Sequence, residues 1–113
     1  MGVPILVGTD TPNPLLVPGF SIHHEVEALV RAGLGPSLVL EAATHGAAVH
    51  LRAEDEFGAI SLGLRADIVL IAGNPLQDLA QLREVRGLLL RGVYLDRDHL
   101  RKSLENVALL RAQ

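Results

Sequence analysis

Hydrophobic residues near the start of the chain form an uninterrupted run and do not alternate with polar ones. The run covers residues 3–8 and is followed directly by Thr9 and Asp10. Runs of this kind are typical of strands that are buried on both faces, as in parallel sheets. A short helix is the rival interpretation, but Pro4 and Gly8 favour a strand that stops. We therefore predict a buried strand with Asp10 just beyond its carboxyl end.

Helical periodicity follows, after a proline-rich loop at residues 11–21. Residues 22–32 place most of their aliphatic side chains on one face of a predicted helix, and Gly33 is a suitable stop signal. A second helix is predicted from Pro36, because proline is favoured in the first turn of a helix. A short helical continuation is expected after an interruption at residues 44–46.

The second half of the chain has the pattern of short strands and turns. Residues 57–61 and 66–72 are predicted strands, joined by a turn at residues 62–63. An irregular helix is expected at residues 76–84. A second hairpin is expected at residues 85–94, where a glycine marks the turn. These segments predict a small sheet built from hairpins.

The last segment is a predicted helix at residues 97–111, with Asp96 as its capping residue. The patterns divide the chain into three parts: residues 1–53, residues 54–95 and residues 96–113. The isolated chain is accordingly predicted to be an α+β protein.

The predicted strand at residues 3–8 has no obvious partner in the rest of the chain. A buried strand without neighbours leaves backbone donors and acceptors unpaired, at about 1–3 kcal/mol each. We therefore expect a partner to cover it, either an absent amino-terminal region or another copy of the chain. The second possibility predicts a homo-oligomer.

Composition narrows the class of protein. The chain has 113 residues, of which 49% are hydrophobic, and a formal net charge of -3. A packed protein is expected, although a complete barrel enzyme needs about 250 residues. The chain lacks a basic block, and no apolar run approaches the roughly 20 residues of a membrane helix. We expect a soluble cytoplasmic protein that binds neither nucleic acid nor membrane.

Asp10 is the strongest candidate for a catalytic residue. In barrel enzymes the carboxyl ends of the strands carry the catalytic groups. A carboxylate at such a position can ligate a metal or take a proton from a metal-bound water. The alternative is that the Asp10 side chain caps the following turn, which is the commoner role for an aspartate in this kind of local sequence.

The five histidines form none of the spacings that are typical of metal sites. His23 and His24 are adjacent, so they point in different directions on a helix. His45 and His50 are separated by an interval that does not fit one helical face. His23 is kept as a candidate because it opens a predicted helix beside the loop after Asp10, with a structural role as the alternative.

Taken in order, these segments resemble the carboxyl-terminal part of metal-dependent amidohydrolases, in particular the imidazolonepropionase-like and prolidase-like members. Residues 2–10 resemble the last barrel strand and its aspartate, and residues 22–34 resemble the helix after it. The remaining matches are the next helix pair, at residues 36–44 and 47–48, and the later segments at residues 58–71, 74–76 and 85–92. The ordered combination is more specific than any single piece.

The resemblance implies a mixed α/β architecture. It consists of the last strand–helix unit of a TIM-like (β/α)8 barrel and the carboxyl-terminal part of a small β-sandwich. The implied full-length enzyme hydrolyses a non-peptide or dipeptide-type C–N bond with water activated by a divalent metal, most simply zinc. Asp10 would match the aspartate that ligates the metal and acts as general base, and His23 a residue lining the substrate site. Gly63 and Asp67 would be structural, as a turn and a strand-start contact.

Several parts of the family pattern are absent from the chain. There is no His-x-His pair, and no histidine matches the ligands of the middle strands. The bridging carboxylated lysine of the family is also absent, because the single lysine, Lys102, lies in the terminal helix. A catalytic zinc site normally has three protein ligands, so the chain alone is expected to hold no metal and to be inactive. The alternatives are a structural or self-association module derived from the same fold, and half of a split enzyme.

Overall fold

The computed structural model describes residues 3–111. In this range the chain contains four α-helices, one 3-10 helix and a three-stranded sheet. The α-helices are α1 (Ser21–Arg31), α2 (Pro36–Ala43), α3 (His45–Leu51) and α4 (Arg97–Arg111). The 3-10 helix is Leu79–Arg83, and the strands are β1 (Ile68–Ile71), β2 (Val85–Leu90) and β3 (Val93–Asp96). Helices fill the first half and the sheet lies in the second, as predicted for an α+β chain.

Helix α1 has clear signals at both ends. At its start, the Ser21 hydroxyl accepts a hydrogen bond of 2.8 Å from the backbone N–H of Val17, which ties the preceding loop to the helix. At its end, Gly33 adopts a φ of +97°. Its N–H donates to the carbonyl of Val30, so the helix closes on a left-handed glycine, as the sequence predicts.

The core is small and lies where α1, α2 and the 3-10 helix meet. Val26, Val39 and Leu79 are buried there, and Val39 is fully enclosed. Complete burial of one such aliphatic side chain stabilises a fold by about 1.5–3 kcal/mol. Val7 packs against this cluster, so the core also holds the amino-terminal segment to the helices.

The sheet is antiparallel, with β2 between β1 and β3. A two-residue turn joins β2 to β3, and both its residues have positive φ, 51° at Arg91 and 81° at Gly92. Such turns match the twist of the strands they connect. Asp67, immediately before β1, accepts a 2.8 Å hydrogen bond from the N–H of Arg91. This contact confirms the strand-start role expected of Asp67.

The terminal helix begins as predicted. Asp96 accepts a 2.8 Å hydrogen bond from the N–H of His99 and so caps the first turn. Arg101 and Glu105 form an exposed pair one turn apart, at 2.8 Å. Within residues 3–111, none of the helices combines the length and the apolar character that crossing a lipid bilayer requires.

Two predicted strands are not formed in the described structure. Residues 57–61 are wrong as a strand, because Gly58 has a φ of +100° and Ile60 is 83% exposed in an irregular loop. Residues 3–8 pair with none of the three strands. The physical reason is that a strand needs a neighbouring backbone, and β1, β2 and β3 pair only with one another.

Candidate functional site

Asp10 lies at the tip of a tight turn that follows the apolar segment. Its φ of +55° is left-handed, a conformation that aspartate tolerates better than most residues. Its carbonyl accepts a 3.2 Å hydrogen bond from the N–H of Asn13, and its carboxylate Oδ2 accepts one from the Asn13 side chain. The carboxylate is exposed and contributes to the turn, so the turn-capping role considered for it is observed.

Residues 7–9 are held from one side by the first two helices. The N–H of Val7 donates to the carbonyl of Ala42 on α2 at 3.4 Å. The N–H of Gly8 donates to Oε1 of Glu25 on α1 at 3.5 Å. Earlier in the apolar segment, the side chains of Val3 and Ile5 are exposed. The described backbone contacts just before Asp10 therefore come from the two helices.

A shallow cavity of about 300 Å³ lies between this segment and α1. Its lining includes Thr9, Ser21, His24 and Glu25. The Thr9 hydroxyl also donates to the hydroxyl of Thr11, at 3.3 Å. The cavity therefore joins the residue before Asp10 to polar side chains of α1.

His23 lies half-buried on a different face of α1. Burial lowers the pKa of His23 below its ordinary value of 6.5, and the nearby guanidinium of Arg83 lowers it further. Arg83 itself pairs with Glu27, at 2.8 Å. Among residues 3–111, no hydrogen bond joins His23 to Asp10, and it is His24 that lines the cavity beside Thr9.

The described residues do not by themselves fit a catalytic metal ion. Such a site normally takes three protein ligands. Within residues 3–111, no group of three or more histidine, aspartate or glutamate side chains is close enough together to hold one. Among these residues, Asp10 therefore belongs to no ligand group of that size.

Two contacts of this region were not predicted from sequence. Asn13 could have been found, because asparagine in a proline-rich turn often bonds to a neighbouring backbone or side chain. Glu25 could not, because 17 residues separate it from Gly8 and no spacing rule links a helix to a segment so far away.

Comparison with solved structures identifies the family. No protein-family model and no curated protein matches the chain. A Bifidobacterium longum structure described as a prolidase is 36% identical over 80% of this chain and 22% of its own, with a TM-score of 0.73. A molinate hydrolase is 28% identical over 67% of this chain and 16% of its own, with a TM-score of 0.63.

A Xaa-Pro dipeptidase with methionine in its active site gives similar values. It is 28% identical over 67% of this chain and 19% of its own, with a TM-score of 0.62. An amidohydrolase structure matches in the same way. These likenesses show that the chain belongs to the amidohydrolase superfamily, as the ordered segments of its sequence predict. The chain spans 16% to 22% of the length of the three structures described.

Proposed function

We propose that this chain is the carboxyl-terminal segment of a metal-dependent amidohydrolase, and that it contributes Asp10 to the catalytic site of the complete enzyme. The observation that carries the proposal is an unpaired apolar segment, residues 3–8, that leads into an exposed carboxylate. In a closed parallel barrel the backbone of such a segment is paired on both sides. Its carboxyl end then opens on the face where barrel enzymes carry out catalysis.

The exposure of residues 3–8 supports a missing neighbour. Val3 is 88% exposed and Ile5 is 50% exposed. Apolar surface left in water forgoes about 25 cal/mol of stabilisation for each Å². Adjacent barrel strands would cover these side chains and pair the free backbone at the same time. The same neighbouring strands therefore account for both the exposed side chains and the unpaired backbone of residues 3–8.

The proposed reaction is hydrolysis of a carbon–nitrogen bond in a dipeptide or a related non-peptide substrate. In the complete enzyme, Asp10 would be one of the residues that hold the metal, and its carboxylate would act as the general base toward the attacking water. The metal expected in the complete site is divalent, and zinc is the first to test. His23 remains a proposed substrate-lining residue, with its pKa lowered by burial. The Xaa-Pro dipeptidase among the similar structures makes dipeptides with a carboxyl-terminal proline the first substrates to assay.

A grafted enzyme tests the proposal. The corresponding carboxyl-terminal segment of the Bifidobacterium longum protein is replaced by this chain, which matches it at 36% identity. We expect the metal-loaded graft to hydrolyse Xaa-Pro dipeptides. The same host without any carboxyl-terminal segment should be inactive. A graft that is folded and metal-loaded but does not hydrolyse these or other amide substrates would contradict the proposal.

A second candidate function, self-association as a structural module, is favoured by the exposed aliphatic side chains outside the core. Leu38 and Leu51 are both more than half exposed, as is Val3. A second copy of the chain would remove such surface from water. Sedimentation over a range of concentrations tests this candidate, with Leu51→Ser as the variant expected to weaken assembly. A stable monomer at all concentrations would contradict it.

A further inference from the structure

The side chain of Glu25 connects α1 to the segment that carries Asp10. Its Oε1 accepts the hydrogen bond from the N–H of Gly8, two residues before Asp10. We propose that Glu25 is a positioning residue, which fixes the path of residues 8–10 and through it the orientation of the Asp10 carboxylate. This inference rests on the proposed function, because it gives Glu25 a role in catalysis only if Asp10 is catalytic.

The backbone around Asp10 needs such support. A side-chain carbon added at Gly8 would meet no atom within 4 Å, so packing does not fix this residue. Asp10 itself is held at a φ of +55°, in the left-handed region that few residues other than glycine adopt. A conformation of this kind persists when surrounding contacts hold it. The hydrogen bond to Glu25 is such a contact, on the residue where the apolar segment ends.

The same face of α1 holds the Asp10 loop at both of its ends. Ser21 and Glu25 are four residues apart, so their side chains lie on one helix face. Ser21 accepts the N–H of Val17 at 2.8 Å, and Glu25 accepts the N–H of Gly8 at 3.5 Å. Residues 8–17, with Asp10 between the two anchors, are therefore fixed to a single rigid element.

The helix that carries these anchors is itself well fixed. Val26, next to Glu25, is 4% exposed and belongs to the core. A carboxylate is a suitable acceptor, because hydrogen bonds from a backbone N–H to an ionised group are stronger than neutral ones.

Glu25→Ala and Glu25→Gln separate positioning from general packing. Alanine removes the acceptor, whereas the amide oxygen of glutamine can still accept the N–H of Gly8. In the grafted enzyme, Glu25→Ala should lower kcat by about 10- to 100-fold, with KM nearly unchanged. Glu25→Gln should restore most of this loss. Substrate binding is expected to survive, because the change affects the orientation of Asp10.

Glu27→Gln is the matched control on the same helix. Glu27 lies two residues further along and pairs with Arg83, at 2.8 Å, away from Gly8. Its replacement removes a carboxylate from α1 without touching the Asp10 segment. We expect kcat to stay within about twofold, because exposed ion pairs contribute little.

A measurement on the isolated 113-residue chain makes the result independent of catalysis. Amide hydrogen exchange at Gly8, followed by NMR, should be about tenfold faster in Glu25→Ala than in the unmodified chain. Glu25→Gln and Glu27→Gln should leave it close to the original rate. Unchanged exchange in Glu25→Ala would overturn the role of Glu25 whatever the graft does.

The kinetics of the graft and the amide exchange of the isolated chain together distinguish a failure of the role of Glu25 from a failure of the proposed function. An active graft in which Glu25→Ala keeps full kcat contradicts positioning by Glu25 but leaves the proposed function intact. A graft that is folded and metal-loaded but inactive contradicts the proposed function. In that case faster exchange at Gly8 in Glu25→Ala still supports Glu25 as the anchor of residues 8–10, and unchanged exchange removes it.

Discussion

The two regions of the molecule with β-type sequences, residues 3–8 and the sheet of β1, β2 and β3, differ in where their hydrogen-bonding partners come from. In the sheet, β2 is paired with β1 along one edge and with β3 along the other. In residues 3–8, the backbone–backbone hydrogen bond described is the one from Val7 to Ala42. The sheet forms from hairpins that lie close together in sequence, whereas residues 3–8 have a strand's composition without a strand's neighbours.

The two regions therefore differ in how far along the chain a strand's partner has to lie. A hairpin needs only a suitable turn, such as the one at Arg91 and Gly92, and the strands on either side of it. A parallel strand needs partners that are separated from it by long crossover connections. Within residues 3–111, the three-stranded sheet meets the first requirement, and residues 3–8 pair with none of its strands.

The largest expected effect concerns the end of the unpaired segment. In the grafted enzyme, Asp10→Asn should reduce hydrolysis by about 10²- to 10⁴-fold, because an amide cannot accept the proton from the attacking water. The same change in the isolated chain should alter the free energy of unfolding by less than about 0.5 kcal/mol, since the side chain is exposed. Steady-state kinetics and chemical denaturation measure the two effects.

Asp55→Asn is the control for this comparison. Asp55 is also an exposed aspartate, in the turn after α3, far along the chain from the candidate site. Its replacement should leave hydrolysis unchanged. Asp10→Asn with the turnover of the unmodified graft would remove Asp10 from the mechanism.

The next prediction compares the free energy of unfolding lost on truncating a core side chain with that lost on truncating one in residues 3–8. Val39 is fully enclosed, so Val39→Ala should lower the free energy of unfolding by about 2 kcal/mol. In the isolated chain, Ile5→Ala should change it by much less, because half of that side chain already faces water. In the graft, where barrel strands would cover Ile5, the same change should be clearly destabilising. Equal effects of Ile5→Ala in both settings would contradict a covering partner.

Sequence patterns predicted the local elements well because local interactions determine them. The helix predicted at residues 22–32 is α1, displaced by one residue, and the one predicted at residues 97–111 is α4. The hairpin predicted at residues 85–94 is formed by β2 and β3. The strand predicted at residues 57–61 failed, because an apolar pattern does not reveal that the backbone turns at Gly58.

The candidate site was predictable only in part, for a physical reason. Asp10 could be found because it directly follows an apolar run that ends in a glycine. Its support from Glu25 depends on how α1 packs against residues 7–9, which no short-range pattern contains. Within residues 3–111, no group of three or more histidine, aspartate or glutamate side chains gathers around Asp10, so spacing along this part of the chain does not predict a complete metal site.

A smaller effect is expected in the sheet of β1, β2 and β3, at the carboxylate of Asp67. The N–H of Arg91 and the guanidinium of Arg65 hold the pKa of Asp67 below its ordinary value of 3.8. A lowered pKa in the folded state stabilises the fold at pH values above the unfolded-state pKa. This contribution is lost as the pH falls through the lowered pKa.

Asp67→Asn should therefore lower the Tm at neutral pH and make the Tm less dependent on pH in the acid range. Thermal unfolding followed by circular dichroism at a series of pH values measures both. Asp98→Asn, an exposed aspartate on α4, is the control and should retain the acid dependence of the unmodified chain. An unchanged acid dependence of the Tm in Asp67→Asn would show that the hydrogen bond from the N–H of Arg91 to the Asp67 carboxylate does not contribute to stability.

The smallest expected effect concerns the exposed contact that joins the helical half to the second half. Arg83, at the end of the 3-10 helix, pairs with Glu27 of α1 and also lowers the pKa of His23. Arg83→Gln should raise the pKa of His23, as followed by NMR titration. The pKa should stay below 6.5, because burial is the larger cause and remains. Arg101→Gln, on α4, should leave it unchanged.

A rise all the way to 6.5 would mean that Arg83→Gln has also opened the packing around His23. The contact between the two halves would then depend on an exposed ion pair more than on the buried side chain of Leu79. A partial rise means that the core holds the halves together without it. Since exposed pairs contribute little to stability, we expect the partial rise. The residues that support the candidate site would then be fixed by the core, although residues 3–8 pair with none of the described strands.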